Sequence, residues 1–167
     1  MEKAIQIDEA SSPVSRAIFL APLFLICHVL EEAPSFVQWV NAHIEPDITT
    51  ETFLAVNLTG LIITLVIVGM IKMSPSVSSH ILAIAWLSFL MPANALIHIA
   101  GSVIDRSYAP GVVTAIVFYI PYYFYLLMKI KRSRKVDLSR MIGAAVAGAT
   151  PMLIHGYRIL FLGSRLF

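Results

Sequence analysis

Five long apolar stretches constrain the fold of this 167-residue chain more than any other feature of its sequence. They cover residues 15–31, 52–73, 79–101, 110–130 and 138–162. A helix crosses the hydrocarbon core of a bilayer, ~30 Å thick, with about 20 apolar residues. Strands of membrane barrels are about half as long and alternate strictly between polar and apolar residues. The pattern therefore predicts an all-α fold, a bundle of five transmembrane helices.

The composition supports this class, since 58% of the residues are hydrophobic, 13% are charged and the mean hydropathy is +0.81. Water-soluble domains carry about 25% charged residues. We expect one transmembrane domain, residues 15–167, after a polar tail at residues 1–14. Phe36 and Trp39 follow the first span and predict a short helix at the membrane surface. The single cysteine, Cys27, excludes an internal disulfide and a multi-cysteine zinc site.

Basic side chains concentrate in the connection between the fourth and fifth spans. They are Lys129, Lys131, Arg132, Arg134, Lys135 and Arg140. Cytoplasmic connections of membrane proteins are rich in Lys and Arg. We therefore predict a multi-pass protein of the cell membrane, with the N-terminus in the cytoplasm and the C-terminus outside. A basic run between two spans indicates topology and contact with anionic lipid, and not binding to nucleic acid.

With this topology, polar residues of all five spans fall in the outer half of the membrane. They are His28, Glu31, Glu32, Asn57, Asn94, His98, Thr114, His155 and Arg158. Ionisable groups at such depth are costly and usually face a bundle interior or a water-filled cavity. His28 shares a helical face with Glu31 and Glu32, because three or four residues separate them. Asn94 shares a face with His98 for the same reason. The sequence therefore predicts one polar pocket.

The segment from His28 to Glu32 reads H-x-x-E-E, and in this motif the chain resembles the HXXEE family of small multi-pass membrane proteins. The resemblance continues with Asn94 and His98 in a later span and with SYAPGVVTA at the start of the next one. It covers most of the chain, from the first span to at least Thr114. The resemblance implies a membrane protein and supports the choice of site residues, and it implies no particular reaction.

Imidazoles and carboxylates grouped in a membrane favour a metal-dependent enzyme that acts on a lipid or a small apolar molecule. Iron and zinc both accept such ligands. The sequence is therefore consistent with either an oxidoreductase or a hydrolase. The candidate metal ligands are His28, Glu31, His98 and His155. The candidate catalytic residues are His28, Glu31 and Glu32, because a carboxylate not bound to the metal can act as a general acid or base.

We expect further polar residues around the bound cofactor. They are Asn57, Asn94, Thr114 and Arg158, of which the asparagines would fix imidazole tautomers and the arginine would neutralise negative charge or bind an anionic headgroup. Two other functions fit the same residues. One is a metal-free His/Glu proton shuttle that isomerises double bonds. The other is a transporter or a membrane protein that binds small molecules, in which Glu and His mark a proton path.

Overall fold

The computed structural model describes residues 13–45 and 47–163, and within these ranges the chain is helical with no strand. The helices are α1 (Pro13–Glu32), the short α2 (Phe36–Asn41), α3 (Thr50–Met73), α4 (Val77–Asp105), α5 (Val112–Ser133) and α6 (Leu138–Leu162). The five long ones are long and apolar enough to cross a membrane. This confirms the predicted bundle and the short helix after the first span. Most of the predicted polar tail lies outside the described residues.

Polar residues next to the apolar stretches set where the helices begin. Thr49 precedes α3, and its side-chain oxygen accepts a hydrogen bond from the Thr52 backbone N–H at 3.2 Å. Ser76 and Ser79 form a reciprocal capping box at the start of α4. Such caps satisfy N–H groups that have no partner within the helix. Helix α4 therefore begins at Val77, slightly before the predicted third span.

Pro22 interrupts the hydrogen-bond ladder of α1, which has a non-helical turn at Phe19. Proline has no N–H, so the carbonyl of Ile18, four residues earlier, loses its helical donor. The Tyr122 hydroxyl of α5 donates instead to the carbonyls of Ala17, at 3.1 Å, and Ile18, at 3.5 Å. A buried side chain thus compensates for the proline and ties α1 to α5.

Three helices contain one π-helical turn each: Phe89–Ala93 in α4, Ala115–Tyr119 in α5 and Arg158–Leu162 in α6. In a π turn the hydrogen bond joins residues five apart, and such turns are frequent at functional sites. The first of these turns contains Pro92 and directly precedes the α4 segment that carries His98.

All five long helices contribute to the buried core, and most of its residues belong to α1, α4 and α5. Successive long helices run in opposite directions, so α1, α4 and α6 end where α3 and α5 begin. We call this end of the bundle the motif end, because His28 to Glu32 lie there. The other end, where the basic connection joins α5 to α6, is the basic end.

Candidate functional site

His28, Glu32 and His98 form a buried cluster at the motif end, with only 1%, 4% and 2% of each residue exposed. Glu32 Oε1 lies 3.2 Å from His98 Nε2 and 3.5 Å from His28 Nε2. The imidazole rings are 4.9 Å apart and meet edge to face. One potential ligand atom from each side chain lies within 4.8 Å of the other two, so the group could hold a metal ion.

Helices α1 and α4 position this cluster, and the connection before α5 closes one side of it. His28 and Glu32 stand one turn apart on α1, which places them on the same face. Gly111 has a φ of +95°, a conformation that favours glycine. A Cβ atom at Gly111 would lie 2.8 Å from His28 Cε1 and 2.9 Å from His98 Cε1. Both the backbone conformation and the available space therefore require glycine here.

Glu31, next to Glu32 in sequence, has a different environment. Its carboxylate accepts hydrogen bonds from the Tyr108 hydroxyl at 2.6 Å and from the backbone N–H groups of Val113, at 3.0 Å, and Thr114, at 2.7 Å. The Thr114 hydroxyl donates to it as well, at 2.5 Å. Glu31 thus caps the first turn of α5, where N–H groups lack helical partners and the helix dipole favours an anion. The structure places this predicted metal ligand outside the cluster of His28, Glu32 and His98.

The connection between α4 and α5 contributes Tyr108, half of which is exposed. Burial of its hydroxyl and the hydrogen bond to Glu31 raise the pKa of Tyr108 above its ordinary value of 10.0. Tyr108 therefore stays protonated at neutral pH and remains a donor to the carboxylate.

Several buried polar atoms in the cluster and beside it lack a hydrogen-bond partner in the part of the chain that the structure describes. They are His28 Nε2, His98 Nδ1 and the hydroxyl oxygen of Tyr119. The Tyr119 ring packs on the His28 ring, with centroids 4.3 Å apart. Buried polar groups are nearly always hydrogen-bonded, so such atoms call for an explanation. By contrast, His28 Nδ1 lies 2.8 Å from the Thr114 hydroxyl oxygen.

A cavity of about 540 Å³ adjoins the cluster, and Glu32 and His98 form part of its wall. Side chains of α1, α2, α3, α4 and α6 line it, and most of them are apolar or aromatic. Three further polar residues predicted from the sequence also line it: Asn57, Asn94 and His155. Such a cavity, apolar with a few convergent polar groups, is typical of small-molecule sites.

Helix α2 covers the cavity at the motif end and is held in place by polar contacts. Trp39, which lines the cavity, donates from Nε1 to Asp105 Oδ2 at 2.9 Å. His43 Nε2 lies 3.1 Å from the other carboxylate oxygen of Asp105. A Cβ atom at Gly101 would lie 2.6 Å from the Trp39 ring, so the absence of a side chain there lets the indole approach α4.

The predicted site residues fall into three groups. His28, Glu31, Glu32, His98 and Thr114 form one contact network, whereas Asn57, Asn94 and His155 line the adjoining cavity. Arg158 follows His155 by three residues on α6 and is not part of the described cavity wall. The asparagines were expected to fix imidazole tautomers, yet the partner of the His28 ring is Thr114.

Sequence reasoning missed Tyr119, whose ring contacts His28. Residues five apart, such as Thr114 and Tyr119, do not share a face of an α-helix. They approach one another in a π turn, and Ala115–Tyr119 is one. Helical spacing rules applied to the sequence cannot find such a pair. The available signal was Pro121, whose missing N–H leaves the carbonyl of Val117, within this turn, without its helical donor.

Comparison with known families assigns the chain to a family. Residues 19–126 match the family described as "Protein of unknown function with HXXEE motif". The matched range begins in α1, includes every residue of the buried cluster and ends within α5. No curated protein and no solved structure matches the chain. Because the matched range covers more than half of the sequence, the chain belongs to the HXXEE family.

Proposed function

We propose that this protein is a membrane enzyme that binds a divalent transition metal through His28, Glu32 and His98. Its substrate would be a lipid or a small apolar molecule in the adjoining cavity. The observation that carries the proposal is the convergence of two imidazoles and one carboxylate, all buried, at the wall of an apolar cavity. A carboxylate and two histidines are a common ligand set for zinc and for non-haem iron.

The spacing of the side-chain atoms supports a metal. Two atoms bound ~2.1 Å from a tetrahedral metal ion lie about 3.4 Å apart. Glu32 Oε1 lies 3.2 Å from one imidazole nitrogen and 3.5 Å from the other. Both spacings are close to the value expected for two ligands of one ion. Three protein ligands leave at least one coordination position for water or substrate, as in catalytic sites.

The cavity supports the proposed substrate class. Its volume of about 540 Å³ lies within the range of roughly 300–1,000 Å³ typical of small-molecule pockets. The wall includes the aromatic side chains of Phe36, Trp39, Phe53 and Trp86. These side chains suit a hydrocarbon body. Glu32 and His98 would then receive the polar or reactive part of the molecule.

The apolar helices support a position within a lipid bilayer, with the basic end in the cytoplasm. In that orientation the N-terminus is cytoplasmic, the C-terminus is outside and the cluster lies in the outer half of the membrane. A metal at the cluster would polarise a substrate oxygen or lower the pKa of a bound water. Either effect would promote hydrolysis of a substrate. With iron as the metal, its open coordination positions would instead allow oxidation of the substrate.

The test is elemental analysis of the protein purified in detergent. We expect about one equivalent of zinc or iron in the wild type and a loss of at least tenfold in His98→Ala and His28→Ala. His155→Ala is the matched control, because His155 lines the same cavity and lies outside the cluster. It should keep its metal. A wild-type protein without stoichiometric metal, even after incubation with Zn²⁺ or Fe²⁺, would contradict the proposal.

A second candidate function rests on the same contacts. A carboxylate between two imidazoles can hold a proton in place of a metal, since the 3.2 Å between Glu32 Oε1 and His98 Nε2 also suits a shared proton. Such a group next to an apolar cavity could move a proton between carbons of an unsaturated substrate. The elemental analysis decides between the two, because a proton shuttle needs no metal.

A further inference from the structure

The Thr114 hydroxyl lies between an imidazole of the cluster and a carboxylate outside it. Its oxygen is 2.8 Å from His28 Nδ1 and 2.5 Å from Glu31 Oε2. The backbone carbonyl of Gly111 is a further neighbour, at 3.2 Å. These contacts join α1 to the first turn of α5 through one side chain that is only partly buried.

The single proton of the Thr114 hydroxyl determines the direction of each of these hydrogen bonds. A hydroxyl has one proton, and a carboxylate or a backbone carbonyl can only accept. Whichever of Glu31 and Gly111 receives the Thr114 proton, the oxygen of Thr114 can then only accept from His28. The hydrogen bond at 2.8 Å therefore requires the proton of the His28 ring on Nδ1.

This assignment also determines whether the other ring nitrogen, Nε2, carries a proton. With the proton on Nδ1, neutral His28 carries its electron pair on Nε2. That atom is buried, faces Glu32 Oε1 at 3.5 Å and has no hydrogen-bond partner among residues 13–45 and 47–163. An electron pair this close to a carboxylate oxygen is unfavourable unless a proton or a metal cation lies between them.

Glu31 fixes the position of the threonine. Its carboxylate accepts hydrogen bonds from two backbone N–H groups of α5 and from two hydroxyls. Two of these donors are backbone N–H groups, which donate in any protonation state, so the carboxylate oxygens are held as acceptors. Since Glu31 and His28 both belong to α1, the carboxylate holds the first turn of α5 at the height of the imidazole.

We propose that Thr114 and Glu31 are positioning residues that fix the His28 tautomer and direct Nε2 at the metal. This inference deepens the proposed function and rests on it for the identity of the cation. It gives the two adjacent glutamates separate roles, with Glu32 as the metal ligand and Glu31 as the residue that orients the imidazole through Thr114. Partners that orient ligating histidines typically change metal affinity about 10- to 100-fold when they are removed.

The test compares Thr114→Val, which has nearly the same shape without a hydroxyl, with Thr114→Ser, which keeps it. The first measurement is the affinity of the purified protein for Zn²⁺, by competition with a chromophoric chelator. The second is the ¹⁵N spectrum of the His28 ring in metal-free protein, assigned by difference from His28→Ala. Thr150→Val is the control, because it makes the same change at an exposed threonine whose hydroxyl donates to the Val146 carbonyl within α6.

We expect wild type, Thr114→Ser and Thr150→Val to carry the His28 proton on Nδ1 and to bind Zn²⁺ with affinities within a few-fold of one another. Thr114→Val should show a mixed or reversed tautomer and about 10- to 100-fold weaker binding. An unchanged tautomer and affinity in Thr114→Val would overturn the positioning role. A wild type that binds no Zn²⁺ but shows the Nδ1 proton, lost in Thr114→Val, would overturn the metal function and leave the positioning role intact.

Discussion

Gly111 is a single residue that determines how close the start of α5 comes to His28 and His98. It is buried, has a positive φ and leaves room for both imidazole rings. Its sequence context, Pro110 followed by Gly111, predicts a turn. The contact with both rings is set by tertiary packing and is not visible in the sequence.

Replacing Gly111 by alanine should destabilise the protein by about 2–4 kcal/mol, because the strained φ and the overlap with two rings both contribute. It should also abolish metal binding, since one imidazole must move. Gly69→Ala is the control, because a Cβ there meets no atom within 4 Å. Thermal unfolding in detergent measures the first effect and elemental analysis the second. Equal melting temperatures for the two variants would contradict this account of the glycine.

The two glutamates of the motif show how far a sequence predicts a site at this scale. Helical spacing placed Glu31 and Glu32 near His28, and both indeed lie close to the network. Their side chains leave the helix about 100° apart, so each faces a different neighbour. The rotation of α1 against α4 and α5 decides which carboxylate meets the histidines. That rotation depends on the packing of many apolar side chains.

At the scale of helices, the lengths and the order of the apolar stretches were sufficient to predict the bundle. The predicted fifth span coincides with α6, because Asp137 caps its start by accepting a hydrogen bond from the Arg140 N–H at 2.9 Å. The π turns and the contact of Trp39 with Asp105 could not be predicted, because they depend on partners distant in sequence.

Helix α6 contains a pair of glycines with opposite surroundings. A Cβ atom at Gly148 would overlap the backbone carbonyl of Ala85 in α4, whereas one at Gly143 would meet no atom within 4 Å. Helix α6 therefore comes close to the backbone of α4 at Gly148. Close approach of two helix backbones at a glycine is common in membrane bundles.

We expect Gly148→Ala to destabilise the protein by about 1–3 kcal/mol, because α6 must move away from α4. The matched variant Gly143→Ala, on the same helix, should unfold at the wild-type temperature or slightly above it. Melting temperatures in one detergent give the comparison. If both variants melted together, the contact between α4 and α6 would contribute little to stability.

For the whole molecule, the positive-inside rule predicts which end of the bundle faces the cytoplasm, and this orientation can be measured directly. In a Cys27→Ser background, Arg132→Cys should react with an impermeant thiol reagent only from the cytoplasmic side of membrane vesicles. Asp47→Cys should react only from the opposite side, because the two residues lie at opposite ends of the bundle and are both exposed. Labelling of Arg132→Cys from outside would reverse the predicted orientation and would place the cluster in the cytoplasmic half.

The origin of the cluster residues has a consequence for how the chain assembles. His28 and Glu32 come from the first long helix, whereas His98 comes from the third, so no contiguous fragment that ends before α4 contains the set. Membrane helices can insert separately before they associate. An ion held by the cluster would join helices made at different times during synthesis. It would stabilise only the associated bundle and so oppose the separation of α1 from α4.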